Sequence, residues 1–313
     1  MSFAPSPLRA RLLLLTAAAL FSTGGAAIKA CSLTPWQVAC LRSFVAGTAI
    51  FLLLPGARRG WSAGVFGVGA AYAGTMILFV WANKLTTAAE TIFLQDTAPI
   101  FIMLLSPWLL SEKARARDGL MIAVMACGLA FFFADTTDSS PTAPNRFAGN
   151  CLALLSSLTW ALTIMGLRKL RTGRTAARER THGPAMTAVL CGNLLTAIGL
   201  APLAFPVESL GPTDAALIVW LGLFQIGAAY FCLARGLRGV RAAEASVLML
   251  VEPALSPLWA FLLLGERLGV WAAAGACIVL TATVGQTLLG WRDSAAVLKP
   301  DAETAPSSVG GKT

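Results

Sequence analysis

Ala88 to Lys113 reads AAETIFLQDTAPIFIMLLSPWLLSEK, and Ala242 to Arg267 reads AAEASVLMLVEPALSPLWAFLLLGER. Laid on each other in one register, the two stretches pair Glu90 with Glu244, Pro99 with Pro253, Leu110 with Leu264 and Glu112 with Glu266. Four unlike landmarks in a single register make this an internal repeat. Each copy reads as a membrane span, and each carries a mid-span proline with a carboxylate close by, Asp96 in the first and Glu252 in the second. An ionisable group inside a span is costly, so these residues mark the seat of function.

Composition points the same way. Of 313 residues, 57% are hydrophobic and 12% charged, with a mean hydropathy of +0.72, whereas soluble domains are about a quarter charged. Apolar runs near the reach of a bilayer-crossing helix, about 17 to 25 residues, recur along the chain. They are read at Leu12–Ile28, Trp36–Leu54, Gly64–Ala82, Ala88–Leu110, Gly119–Ala134, Phe147–Leu167, Pro184–Phe205, Asp214–Ala234, Ala242–Leu264 and Val270–Gly290. The fold class is therefore an all-α polytopic membrane protein with ten transmembrane helices. Arg9 and Arg11 before the first run also suit a signal peptide; with nine spans behind it, that run is read as an uncleaved first helix.

The polar stretch Asp135 to Arg146, DTTDSSPTAPNR, is the clearest linker. It separates a first five-helix repeat, 8–134, from a second, 147–290, and leaves a polar tail, 291–313, expected to be disordered. All the lysines and arginines except Lys29, Arg42, Lys84, Arg146 and Arg267 fall on the side of the amino terminus, the densest group being the loop that holds Arg168, Lys169, Arg171, Arg174, Arg178 and Arg180. By the positive-inside rule both termini are cytoplasmic, in a bacterial-type inner membrane. Five spans per half is odd, so the halves are inverted, and span four runs inward while span nine runs outward.

Several function classes lack material. The net charge of +9 lies in short loops between spans, which suits topology rather than nucleic acid. Seven cysteines are scattered singly, and the lone histidine, His182, sits in the basic loop, so no metal site, cofactor or His-based hydrolase is read. A sensory or structural membrane protein would bring a larger soluble domain than these loops allow.

Phe21 to Phe44, FSTGGAAIKACSLTPWQVACLRSF, resembles the opening pattern of the EamA family of the drug/metabolite transporter superfamily, with Lys29 and Arg42 at its two charged positions. The ends of spans four and nine resemble that family's proline followed by a Gly-Glu-Arg turn. Gly265, Glu266 and Arg267 match fully, while Ser111, Glu112 and Lys113 depart at the glycine and the base. Trp160 stands in span six where Phe21 stands in span one. The resemblance covers Leu12 to Gly290 and implies two inverted five-helix bundles, no ATPase domain and movement of small metabolites, often outward.

The candidate substrate pathway is Asp96, Gln95, Glu252, Trp160, Phe21 and Arg42, with Pro99 and Pro253 as hinges. At about 1.5 Å per residue, both acids lie near mid-membrane, where either can bind an amine or exchange a proton for substrate. The competing account is structural, with each acid bonded to backbone groups that the prolines free. Arg42 either attracts an anionic group, pairs with Glu90 at similar depth, or snorkels to the interface. Trp160 can stack on a planar substrate or hold a cation, and Glu112 and Glu266 are read as turn residues. The expected function is a secondary transporter, in the exporting direction, of an amino acid or similar metabolite, driven by exchange or protons. A passive channel or an uptake carrier is the alternative, and a homodimer is left open.

Overall fold

The computed structural model describes residues 6–110, 116–134, 140–172, 183–237, 239–240 and 242–297. In chain order the helices are α1 (Pro7–Ser22), α2 (Gly24–Ala30), α3 (Pro35–Leu53), α4 (Ala63–Leu85), α5 (Ala88–Gln95), α6 (Ala98–Leu109) and α7 (Ala116–Ala134). They continue with α8 (Arg146–Thr172), α9 (Gly183–Ala204), α10 (Pro212–Val219), a π-wound stretch (Trp220–Ala228), α11 (Ala229–Gly236), α12 (Ala242–Met249), α13 (Val251–Leu264) and α14 (Val270–Val297). Among the described residues, eight helices or in-line helix pairs are long and apolar enough to cross a membrane. Two further apolar helices, Gly119–Ala134 and Val270–Gly285, are shorter, so eight of the ten spans read from the sequence meet that length among the described residues.

Local chemistry sets the starts. Thr34 and Gln37 form a reciprocal capping box before α3, with Pro35 in the first turn, where its missing N–H costs nothing. Ser62 caps α4 by accepting from Val65 N, and Thr87 caps α5 by accepting from Glu90 N.

Three spans are interrupted in the middle. Tight i→i−3 bonds replace the helical ladder from Thr23 to Leu20, from Thr97 to Leu94 and from Leu250 to Val247. The interruptions at Asp96–Thr97 and at Leu250 lie just before Pro99 and Pro253, which occupy the first turns of α6 and α13. Proline offers no N–H to the preceding turn and crowds its carbonyl, so the helix gives way on the proline's amino-terminal side. Both acids sit at these joints: Asp96 caps the end of α5, and Glu252 lies in the first turn of α13.

In the packing, α4 lies along α8 and α9, α3 along α9 and the π-wound stretch, α7 along α14, α1 along α11 and α13, and α5 along α8 and α13. The run Gly24 to Ala27 is wholly buried. A Cβ at Gly24 would stand 2.7 Å from Gln225 Nε2, so a larger residue there would push the Gln225 side chain aside.

Three expectations are corrected or redrawn. The winding of α14 continues through Trp291 to Val297, beyond the end read at Gly290; the remainder of the tail lies outside the described residues. Arg168, Lys169 and Arg171 belong to α8 rather than to a loop, while Arg174, Arg178, Arg180 and His182 lie outside the described residues. Of the linker, 135–139 lies outside them, but Asn145 is docked, its N–H bonded to Leu85 O and its Oδ1 capping α8 at Ala148 N. Glu112 and Lys113 also lie outside the described residues.

Candidate functional site

Arg42 is the most telling side chain. It is 1% exposed on α3, donating through Nη2 to Met76 O at 3.0 Å and to its Sδ at 3.4 Å, while Nε has no partner. Neither sequence account of its pairing holds. Glu90 is engaged by Arg146 at the start of α8, and Arg42 is enclosed by protein instead of reaching for the interface. Among the described residues, no carboxylate lies within ion-pair distance of Arg42. Its charge instead faces Tyr72 on α4 and Tyr230 on α11.

These two tyrosines are the only ones in the chain. Their rings meet edge to face with centroids 5.7 Å apart, and Phe21 stands against Tyr230 in the same manner at 5.1 Å. The Tyr72 hydroxyl is buried, facing the side chains of Tyr230 and Asn193 without an ordinary hydrogen bond to either; Asn193 Oδ1 is likewise unbonded. Trp160 joins this cluster to a second one on α6 and α8, formed by Ala98, Phe101 and Met165.

The acids complete the arrangement. Asp96 and Glu252 are half-buried, and their charges act on each other, with Glu252 also acting on Tyr230. Asp96 Oδ2 is buried with no hydrogen bond, so the joint before Pro99 does not satisfy it, as the structural account would require. Asp96, Glu252, Tyr230, Tyr72 and Arg42 are thus linked by the action of their charges on one another, a polar track within the bundle. Aromatic faces from Phe21 and Trp160 flank it.

Gln95 stands apart from this track. Its Nε2 donates to Ser156 Oγ at 2.9 Å, and beside it Thr97 Oγ1 meets Ser157 Oγ at 3.1 Å, so both residues tie the α5–α6 joint to α8. Gln95 thereby holds the segment that carries Asp96.

Tyr72, Tyr230, Asn193 and Gln225 escape a reading of the sequence. One signal for the tyrosines was present: a chain with two of them places both inside apolar runs, away from the interfacial depth where that side chain ordinarily sits. Gln225 had none. Its Oε1 is buried and unbonded, and it lies in the π-wound stretch with its side chain against Gly24.

At one end of the bundle, Lys29 Nζ lies 3.0 Å from Glu266 Oε1, with the two side chains 3% and 4% exposed. Glu266, read as a turn residue, is therefore a buried ion-pair partner. At the opposite end of α4, a cleft of about 300 Å³ opens between α4, α6 and α8, lined by Val68, Leu109, Leu162 and Met165 among others.

Comparison with known proteins agrees with a bundle of membrane-spanning helices. The sequence pattern of the EamA-like transporter family matches residues 8–134 and again 147–287. The chain belongs to the EamA-like transporter family. This EamA-like chain is 26% identical over 230 residues to the threonine/homoserine exporter RhtA of Salmonella typhimurium, covering 70% of its own length and 69% of the relative's. It is 26% identical over 281 residues to YwfM, an uncharacterized transporter of Bacillus subtilis, covering 86% and 90%. One crystal structure, 22% identical, superposes with a TM-score of 0.58 over 90% of this chain and 98% of that one, a likeness of fold alone.

Proposed function

We propose that this EamA-like chain is a secondary exporter of a small zwitterionic metabolite, an amino acid or a similar compound. It works by alternating access between two inverted five-helix repeats, 8–134 and 147–290, with both termini cytoplasmic. The observation that carries the proposal is Arg42, a buried cation with no carboxylate among the described residues at ion-pair distance, whose charge acts with Tyr72 and Tyr230, while Tyr230 is acted on by Glu252 and Glu252 by Asp96. A buried charge with no partner is expensive. A substrate carboxylate bound to the Arg42 fork satisfies it, and an ammonium at the other end of the track satisfies the two acids.

The acids also supply the coupling. Two carboxylates that act on each other release and bind protons as a pair, and a cation entering between them displaces a proton. The joints before Pro99 and Pro253 are the bending points, because each leaves its span as two shorter helices that can move separately. The likeness to an exporter of threonine and homoserine supports both an amino-acid substrate and the outward direction.

Counterflow tests the proposal. The purified chain is reconstituted in vesicles loaded with unlabelled threonine or homoserine, and labelled threonine is offered outside. Label entering loaded vesicles faster than empty ones, with the gain lost in Arg42→Gln, is the expected result. Equal entry into both describes a channel, and no entry for these or a panel of other amino acids overturns the zwitterion reading.

A further inference from the structure

The half-helix α5 is held at its far end more tightly than helix packing requires. Every residue from Ala88 to Leu94 is buried. Its first N–H, from Ala88, donates to Glu266 Oε2 at 2.9 Å, and the other oxygen of Glu266 faces Lys29 Nζ at 3.0 Å. Lys29 directs hydrogen bonds to three carbonyls, of Asn83 at 3.0 Å, of Thr86 at 2.6 Å and of Thr142, so charge alone holds Glu266 Oε1 to it. In the same turn of α5, Glu90 pairs with Arg146 and accepts from Thr86 Oγ1.

The Glu266 contacts join the two repeats: Lys29 and α5 lie in the first matched segment and Glu266 in the second, while Arg146 lies just before the second. Gly265 makes the junction possible. Its backbone is left-handed, with φ of 66°, which ends α13 and turns Glu266 back so that its N–H bonds to Ala260 O at 3.2 Å. Buried ion pairs add little net stability over apolar packing, and their best-attested use is to set register or to switch. The ends of the bundle also differ: beside Glu266 there is a cavity of only about 10 Å³, lined by Thr87, Ala89 and Pro257 among others, while the cleft of about 300 Å³ between α4, α6 and α8 lies at the other end.

We infer that Lys29, Glu266, Glu90 and Arg146 form a latch that keeps this end of the bundle shut and positions Asp96 through α5. The inference rests on the alternating-access reading above. Glu266 is a positioning residue: it touches no substrate, but it grips the amino end of the eight-residue helix whose carboxyl end is capped by Asp96. Release of the latch frees α5 to move, opening this end and displacing Asp96 from Glu252 in one motion.

Cys31, 1% exposed, lies beside the latch with its carbonyl bonded by Lys84, and Cys191, 1% exposed, packs with Val65 and Val68 near the opposite end of α4. Two full-length chains are compared, one keeping only Cys31 and one keeping only Cys191, and each is labelled in detergent with a membrane-impermeant maleimide. Glu266→Gln retains the shape and removes the charge, and Glu90→Gln does the same for the second pair. The latch predicts that either substitution speeds labelling of Cys31 by about tenfold or more and leaves Cys191 protected. Unchanged labelling of Cys31 in both variants overturns the inference, as does a joint rise at Cys31 and Cys191, which describes general loosening. No transported substrate enters this experiment, so an absence of counterflow would remove the carrier reading without altering the labelling result.

Discussion

Tyr72 and Tyr230 stand edge to face, ring centroids 5.7 Å apart, and the charge of Arg42 acts on both while that of Glu252 acts on Tyr230. Each ring contributes packing, and each hydroxyl contributes a polar group to the track. Substituting phenylalanine separates the two roles. Tyr72→Phe and Tyr230→Phe are expected to purify as folded protein and to raise the half-saturating substrate concentration in counterflow by about tenfold, the usual worth of a hydrogen bond to a charged group. A concentration dependence identical to that of the native chain in both variants would remove the tyrosines from the site.

Arg42 is an instance of stability yielded to function. Arg42→Met keeps the length of the side chain and discards a buried charge with no carboxylate beside it. The expected outcome is a thermal midpoint at or above that of the native chain, together with exchange at less than about a tenth of its rate. Melting followed in detergent and counterflow in vesicles measure the two effects on the same preparation.

Asp96→Asn and Glu252→Gln test coupling. Each removes one member of the interacting acid pair, so the remaining acid titrates without its neighbour's charge. Net flux driven by a pH gradient is expected to collapse in both variants, while exchange at equal pH persists in at least one. If both variants transport normally across a pH series, these acids do not couple protons to substrate.

Gly265→Ala places a Cβ on a left-handed backbone, at a cost of about 1 to 2 kcal/mol. The αL turn aims Glu266 at Lys29, so the same change also loosens the ion pair. A lowered thermal midpoint is expected together with faster labelling of Cys31, the second effect being one that backbone strain elsewhere would not cause.

Cys31 also carries a pH dependence of its own. Burial pushes its thiol up to about 11, above the ordinary cysteine value. The thiolate is the reactive form, so labelling of the native chain is expected to keep climbing with pH until near that value. In Glu266→Gln, where water reaches the thiol, the same curve shifts to lower pH. A maleimide rate series from pH 7 upward shows which curve each chain follows.

Much of this molecule is legible from composition and repeat alone. The two long stretches in one register located both acids, both joint-forming prolines and the Glu266 turn, because a carboxylate or a proline stands out in a background of apolar residues. Arg42 was found by the same contrast, Trp160 by its depth inside span six, and Phe21 through the resemblance to the family's opening pattern. Which of these side chains meet was not legible. Arg42 and Glu90 lie at matching depth, yet Glu90 turns to Arg146 and Arg42 to Met76, since the partner is set by how each helix is rotated about its axis. Spans that are apolar all round mark no inner face, so that rotation leaves no periodic trace.

From the order of residues alone follow the membrane setting, the family and the identity of the intramembrane charges, since desolvation makes any such residue conspicuous wherever the helices go. The rotation and close approach of the helices settle the rest: that two tyrosines from separate spans meet edge to face, that the Gln225 side chain comes to lie against Gly24, and that Glu266, outwardly a turn residue, becomes the buried partner of Lys29. Those are contacts between distant segments, and their geometry comes into being only when the bundle packs.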